Sequence, residues 1–282
     1  MTISPDRYFI IYMSPSGTTR HVARVIEQQL LSAGESITCC DLGRENSCDD
    51  ILNQIAATNG RSCVFIGSPV YAFHALPQIM TFIDRLPSSG NYAVPFATWG
   101  GVTSGIALQE MGAQLTARSY SLLGAAHILT AHSLTWQFST PLCSDHPNAD
   151  DDAAIVRLTD TILQKLRSES PKPIEPAVLA YQPDSMIPVM QNMNVAKAGS
   201  MLPQRTINRD RCVQCAICKQ QCPTGALRLD PYPIFGPECI SCYTCMRTCT
   251  EQAIAADFSS MEDFLKEKAQ NSPEIAETKV FI

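Results

Sequence analysis

The chain has 282 residues, of which 45% are hydrophobic and 17% charged, a formal net charge of −6 and thirteen cysteines. That length suggests about two domains of 100 to 200 residues each, and that balance excludes a disordered polar chain. No apolar stretch approaches the roughly 18 residues of a membrane span, and an acidic chain gives no basis for a nucleic-acid-binding face.

The apolar run Tyr8 to Met13 predicts a first strand. A hydroxyl-rich loop, Ser14-Pro15-Ser16-Gly17-Thr18-Thr19, and an amphipathic helix from Arg20 to Leu31 follow it. Hydroxyls and N–H groups at a helix N-terminus form an anion site suited to a terminal phosphate, although such clusters also serve as ordinary N-caps. Further strands are predicted over 37–41, 63–67, 93–99 and 122–130, with helices over 49–58, 76–86, 103–117 and 153–167. Five strands alternating with helices imply an α/β, doubly wound parallel sheet covered on both faces. Ligands of such sheets sit at the carboxyl ends of the strands, where the strand order reverses.

Two loops at those ends carry candidate residues: Pro69, Val70, Tyr71 and Ala72 after the third strand, and Thr98, Trp99, Gly100 and Gly101 after the fourth. The glycines let backbone approach a flat ring, and Tyr71 or Trp99 is placed to stack on it. His74 and His132 lie near the same loops as candidate general acids, with a structural or solvent role as the default. Residues 131–148, with Trp136, Phe138 and Cys143, form a candidate wall over a substrate pocket. The run Asp150-Asp151-Asp152 suits the positive end of the last helix. Cys39, Cys40, Cys48, Cys63 and Cys143 lack metal-ligand spacing and read as buried or incidental thiols. Beyond them, Pro171, Pro173, Pro176, Pro183 and Pro188 punctuate a segment without sustained periodicity, expected to be an extended, semi-rigid linker able to pack back on the first domain.

The remaining eight cysteines form two runs of the form C-x2-C-x2-C-x3-C: Cys212, Cys215, Cys218, Cys222, then Cys239, Cys242, Cys245, Cys249. Every position recurs at an offset of 27 residues, and Val213, Ala226 and Leu227 map onto Ile240, Ala253 and Ile254. A cubane iron–sulfur cluster has four corners that each need a thiolate; a chain offering a cysteine every third residue wraps three, and the fourth comes from farther away. A zinc ribbon has no use for the third and fourth cysteine of each run. Disulfides are disfavoured because no apolar secretory segment precedes the first strand. Haem c is excluded locally, since no C-x2-C is followed by histidine. Reduced thiols and oxygen-sensitive clusters suggest a cytoplasmic chain, with anaerobic metabolism as its setting. Residues 205–250 carry six basic and three acidic side chains, a shell that offsets anionic clusters or docks on an acidic surface.

Residues 206–256 resemble a bacterial-type ferredoxin, which implies two [4Fe–4S] clusters with crossed ligation: Cys212, Cys215, Cys218 and Cys249 on one, and Cys239, Cys242, Cys245 and Cys222 on the other. The second run departs from the family by ending Cys249-Thr250 where proline is usual; simple tolerance of the extra N–H is the expectation. The three N-terminal loops resemble the phosphate loop and two isoalloxazine loops of flavodoxins. FMN would then be held by Ser14, Ser16, Gly17, Thr18 and Thr19 together with the eight loop residues above, although Ser14 and Pro15 depart from the commoner T-x-T-G-x-T.

Over residues 7–168 and 206–256 the chain is similar to the EFR1-type ferredoxins. That resemblance implies a flavodoxin-like FMN domain over 1–170, a linker over 171–205, a two-cluster α+β ferredoxin domain over 206–258 and a tail over 259–282 with a helix at 261–270. The expected function is electron transfer between FMN, the clusters and a protein redox partner, a ferredoxin or an oxidoreductase. The alternative is an FMN- and cluster-dependent oxidoreductase acting on a small-molecule substrate. No nucleophile or paired acid/base constellation appears, and no G-x-G-x-x-G follows a strand, so direct use of NAD(P)H is not indicated.

Overall fold

The computed structural model describes residues 7–44, 48–58, 60–88 and 90–282. Its first part alternates β1 (Arg7–Tyr12), α1 (Thr18–Ser32), β2 (Ile37–Asp41), α2 (Asp49–Ala56), β3 (Ser62–Tyr71), α3 (Pro77–Arg85), β4 (Tyr92–Trp99), α4 (Ala107–Ala117), β5 (Ala125–Leu129) and α5 (Ala149–Arg167). Side chains alternate between the faces of a strand. Tyr8, Ile10 and Tyr12 therefore join the apolar layer under α1 and α5, whereas Phe9, Ile11 and Met13 join the layer under α2, α3 and α4. Burial on both faces is why these strands read as unbroken apolar runs. The parallel strands lie in the order β2-β1-β3-β4-β5, which is the flavodoxin-like doubly wound order.

Some boundaries differ from expectation for local reasons. Helix α5 starts at Ala149 because the Asn148 side chain accepts from the Asp150 and Asp151 N–H groups while Asp151 accepts from the Asn148 N–H, a capping box. Helix α4 starts at Ala107 rather than at 103, because Thr103 and Ser104 are bound by Glu274 from the far end of the chain.

The linker is not extended throughout. It makes a 3-10 turn (Pro176–Leu179) and two short helices, α6 (Ile187–Gln191) and α7 (Val195–Met201), the latter capped by Asn194, whose side chain accepts from the Lys197 N–H at 2.8 Å. Leu179 is buried against Gly112 of α4; a Cβ there would come within 2.7 Å of the end of the Leu179 side chain, which would have to shift to make room.

The ferredoxin-like part is built twice. Strand β6 (Thr206–Ile207) pairs with β9 (Ile254–Ala255), and β7 (Leu227–Leu229) with β8 (Pro233–Phe235). Helix α8 (Ile217–Gln220) recurs 27 residues on as α9 (Thr244–Arg247). Left-handed backbone recurs likewise: Gln214, Ala216 and Gly225 have positive φ, and so do Ser241, Tyr243 and Gln252. The sequence repeat is thus a repeat of unusual backbone conformation as well as of cysteines.

The tail does more than end in a helix. After α10 (Ser259–Gln270), β10 (Lys279–Phe281) pairs antiparallel with β5 and covers that edge of the main sheet. Phe281 stacks on Tyr181 of the linker at 5.5 Å, and Tyr181 on His127 of β5 at 5.4 Å. Among the described residues, no helix is long and apolar enough to cross a membrane.

Candidate redox site

The αL residues between the cysteines turn the chain back on itself, so that thiols from distant positions face common centres. Cys212, Cys215, Cys218 and Cys249 line one small cavity, and Cys222, Cys239, Cys242 and Cys245 line another. The fourth thiol of each set thus comes from the other run. Among the described residues no three His, Cys, Asp or Glu side chains converge closely enough to hold a single metal ion. Thiols spread around a centre suit the corners of a cluster rather than a mononuclear zinc site. Burial pushes the Cys218, Cys242 and Cys245 thiols up, the last to about 12, so the iron's charge would be needed to hold them as thiolates. The Ala253 N–H donates to Cys249 Sγ at 3.3 Å. All thirteen cysteines are free of disulfides, and Cys39, Cys40, Cys48, Cys63 and Cys143 stay outside both sets.

Arg205 has no counterpart in the sequence reading. Its Nη1 donates to Cys239 Sγ at 3.1 Å, and its guanidinium lies 4.1 Å from the Phe235 ring centre and 5.3 Å from that of Tyr243. The residue 27 positions later is Tyr232, which is neutral at this point of the repeat. Only the proximity of Arg205 to a cysteine run hinted at the contact.

The two cysteine sets differ in surroundings. Ile240 and Cys242 are buried in the core layer shared with α2, α3 and α4. The Thr244 hydroxyl donates to the Pro15 carbonyl at 2.7 Å, and Arg247 donates to the Ser133 carbonyl at 2.9 Å and to that of Pro15 at 3.4 Å. The other set faces outward, with Cys215 exposed and Val213 64% exposed.

A cavity of about 830 Å3 opens at the carboxyl ends of β3, β4 and β5. Val70, Tyr71, Ala72 and Gly100 line it, together with His132. Gly100 is required by close approach, since a Cβ would lie 2.6 Å from the His132 Cα. Ala72 and Phe73 both have positive φ, a strained pair that the Phe73 carbonyl holds by accepting the Ile106 N–H at 2.7 Å. Burial raises the Tyr71 hydroxyl and lowers His132 to about 4, so both are neutral near pH 7.

The other loop candidates lie outside that cavity. Trp99 is enclosed at 2% exposure, edge-on to His127 at 5.6 Å, so it cannot stack on a ring in the cavity; β4 is buried on both faces and its register turns the indole inward. Thr98 and Thr19 bond each other through their hydroxyls at 2.8 Å. Ser14 Oγ accepts from the Arg20 N–H, Ser16 and Thr18 share a 3.2 Å contact, and Gly17 has φ 96° at the head of α1. Apart from that Ser14 bond to the Arg20 N–H, the N-cap Gly17 offers no side-chain cap and the first turn holds no acid, which leaves the positive end of α1 suited to an anion. Pro69 pairs with Thr98 across the sheet, and Gly101 sits over Cys143.

His74 is a structural latch. Its Nδ1 lies 2.7 Å from a Glu110 carboxylate oxygen and its Nε2 2.9 Å from the Met190 carbonyl. Trp136 and Phe138 do not wall the cavity; they pack with Tyr243 and Phe258 at the junction of the two parts, where Arg247 lies 5.0 Å from the Trp136 ring centre. Glu274, in the C-terminal tail, accepts from the Thr103 and Ser104 hydroxyls, from the Ser104 N–H at 3.1 Å and from Gln182 at 3.0 Å.

Residues 205–228 match the 4Fe-4S binding domain family. The match takes in the first cysteine run and stops before the second. Solved structures similar to this chain include a flavodoxin from the domain Archaea, at 17% identity over 57% of this chain and 99% of that one, with a TM-score of 0.45. Flavodoxin 2 from Bacillus cereus is 14% identical over 56% of this chain and 99% of that one, with a TM-score of 0.44. The rubredoxin oxygen:oxidoreductase of Desulfovibrio gigas is 16% identical with a TM-score of 0.45; the match spans 58% of this chain and 37% of that longer one. No curated protein matches the chain.

Proposed function

We propose that the chain is an electron-transfer protein of the EFR1-type ferredoxin family, carrying FMN and two [4Fe–4S] clusters and exchanging electrons with a protein redox partner. Residues 1–170 form the FMN domain, 171–205 the linker, 206–258 the two-cluster domain, and 259–282 a tail. FMN, when bound, supplies a carrier able to take two electrons and release them one at a time. The loop from Ser14 to Thr19 holds its phosphate, and the loops at Pro69 to Ala72 and Thr98 to Gly101 hold its ring, with Tyr71 and Gly100 lining the ring pocket.

One observation carries this reading: Ile240 and Ser241, which lie between Cys239 and Cys242, line the same cavity as Tyr71 and Gly100. Backbone that turns around one cysteine set is therefore also a wall of the pocket. That set is the inner cluster site, and the outward-facing set at Val213 and Cys215 is the port for the partner. Arg247 and Thr244 keep the two parts in register by bonding Pro15 and Ser133.

Paired substitutions test the crossed ligation. Cys249→Ala is expected to destroy or convert mainly the cluster built on Cys212, Cys215 and Cys218, and Cys222→Ala the other, read by iron counts and EPR. Loss of the opposite cluster in either variant would contradict the assignment.

A further inference from the structure

The 830 Å3 cavity reaches well beyond the ring loops. Its inner end is formed by Tyr71, Gly100 and His132; its outer end is formed by α6, α7 and α10, which the five-stranded sheet does not supply. Five thioethers line the outer end: Met186, Met190, Met193, Met201 and Met261. The rim is apolar and open to solvent, with Val189, Met201 and Phe264 exposed by 53%, 68% and 49%. Of the polar lining groups, Thr103 and Gln182 are already spent on Glu274, which accepts from both. Lys268 is the one Lys or Arg among the described lining residues, and it rests 5.5 Å from the Phe264 ring centre.

Small-ligand pockets span roughly 300 to 1,000 Å3 and are mostly apolar, and a contiguous exposed apolar rim marks a place where something binds. Methionines adapt to irregular shapes, and their sulfurs favour aromatic edges. A flat, uncharged ring fits this lining, whereas a nucleotide would need several cations for its phosphates. We infer that the outer end binds a flat, uncharged, conjugated small molecule that accepts two electrons, a quinone being the simplest case. The inference rests on the proposed ring site for its chemistry but not for its binding. Two electrons, given one at a time by a one-electron donor protein through the cysteine sites, and two protons from solvent convert the two C=O groups of a quinone to two O–H groups. The donor is oxidised twice per turnover.

Menadione is the probe. The full chain, loaded anaerobically with iron, sulfide and FMN and kept oxidised, is dialysed to equilibrium against it beside a Val189→Glu/Met201→Glu double variant. Both positions are exposed, and unchanged iron and flavin counts establish that the variant is loaded like the parent. The expected result is saturable binding at one site, weakened at least tenfold in the double variant and retained in Met201→Leu. Unsaturable uptake, or equal affinity in the double variant, would overturn the inference. A parent chain that retains iron but no flavin would instead overturn the ring site proposed above, while the dialysis still decides whether menadione binds.

Discussion

Arg205 sets one guanidinium against Cys239, while its repeat mate Tyr232 brings no charge. A cation beside a cluster favours the state with one more electron, so on the proposed reading the cluster held by Cys239 would have the higher potential and electrons would run from the outer site toward the cavity. Arg205→Gln is expected to lower one of two resolved cluster potentials by about 59 mV, a tenfold change for a one-electron couple, in an EPR-monitored redox titration. A shift of both potentials, or of neither, would contradict this role. His74 gives a pH signature of a different kind. Its hydrogen bond to Glu110 raises its pKa above the ordinary 6.5 despite burial. A raised folded-state pKa gives stability that is complete below the unfolded value and lost as pH rises through the folded one. Denaturation midpoints are therefore expected to fall as pH rises above 6.5, with a smaller fall in His74→Gln. Equal slopes in the two proteins would show that the latch is not titrating.

Among the elements, the tail holds the loop after β4 through Glu274. Glu274→Ala would take the acceptor from the Ser104 N–H and one partner each from the Thr103 and Ser104 hydroxyls and the Gln182 amide, which keep contacts to Gly105 and Tyr181, at a cost of about 1–3 kcal/mol; chemical denaturation should show that loss and a partial recovery in Glu274→Gln. Unchanged stability would mean that the clamp is replaced by water. The main strands were legible as short unbroken apolar runs, as Tyr8 to Met13 is because both faces are covered, and the helices by their amphipathic period. The two cysteine runs were legible from their spacing, whereas the crossing of Cys222 and Cys249 to the opposite runs is what the ferredoxin resemblance implies, and each lines the other run's cavity. Strand β10 was not legible, since three residues mean a strand only against the open edge of β5. Helices α6 and α7 were too short for periodicity to show. Trp99 misled because a loop-end aromatic in sequence became a core residue through the register of β4. Arg205 and Glu274 were hidden because their partners lie 34 and about 170 residues away.

At the scale of the molecule, the linker, the loop at residues 131–148 and the tail draw the sheet and the cysteine repeat into contact, with Tyr243, Phe258, Trp136 and Phe138 as shared packing. The route proposed here runs from an outward-facing cluster site, through an inner one, to a pocket at the strand ends. On the proposed route electrons would enter by way of a protein partner, and no G-x-G-x-x-G fingerprint follows a strand to suggest direct use of a dinucleotide. NADH or NADPH alone should leave the visible spectrum unchanged, and rapid bleaching by either would contradict that entry point. Whether one chain holds both kinds of redox group is decided by the visible spectrum of anaerobically purified protein with iron, sulfide and extracted flavin counted per chain. About eight iron and one FMN per chain are expected. Eight iron with no flavin, and no uptake of added FMN, would contradict that expectation by removing the carrier to which the inner cluster is joined.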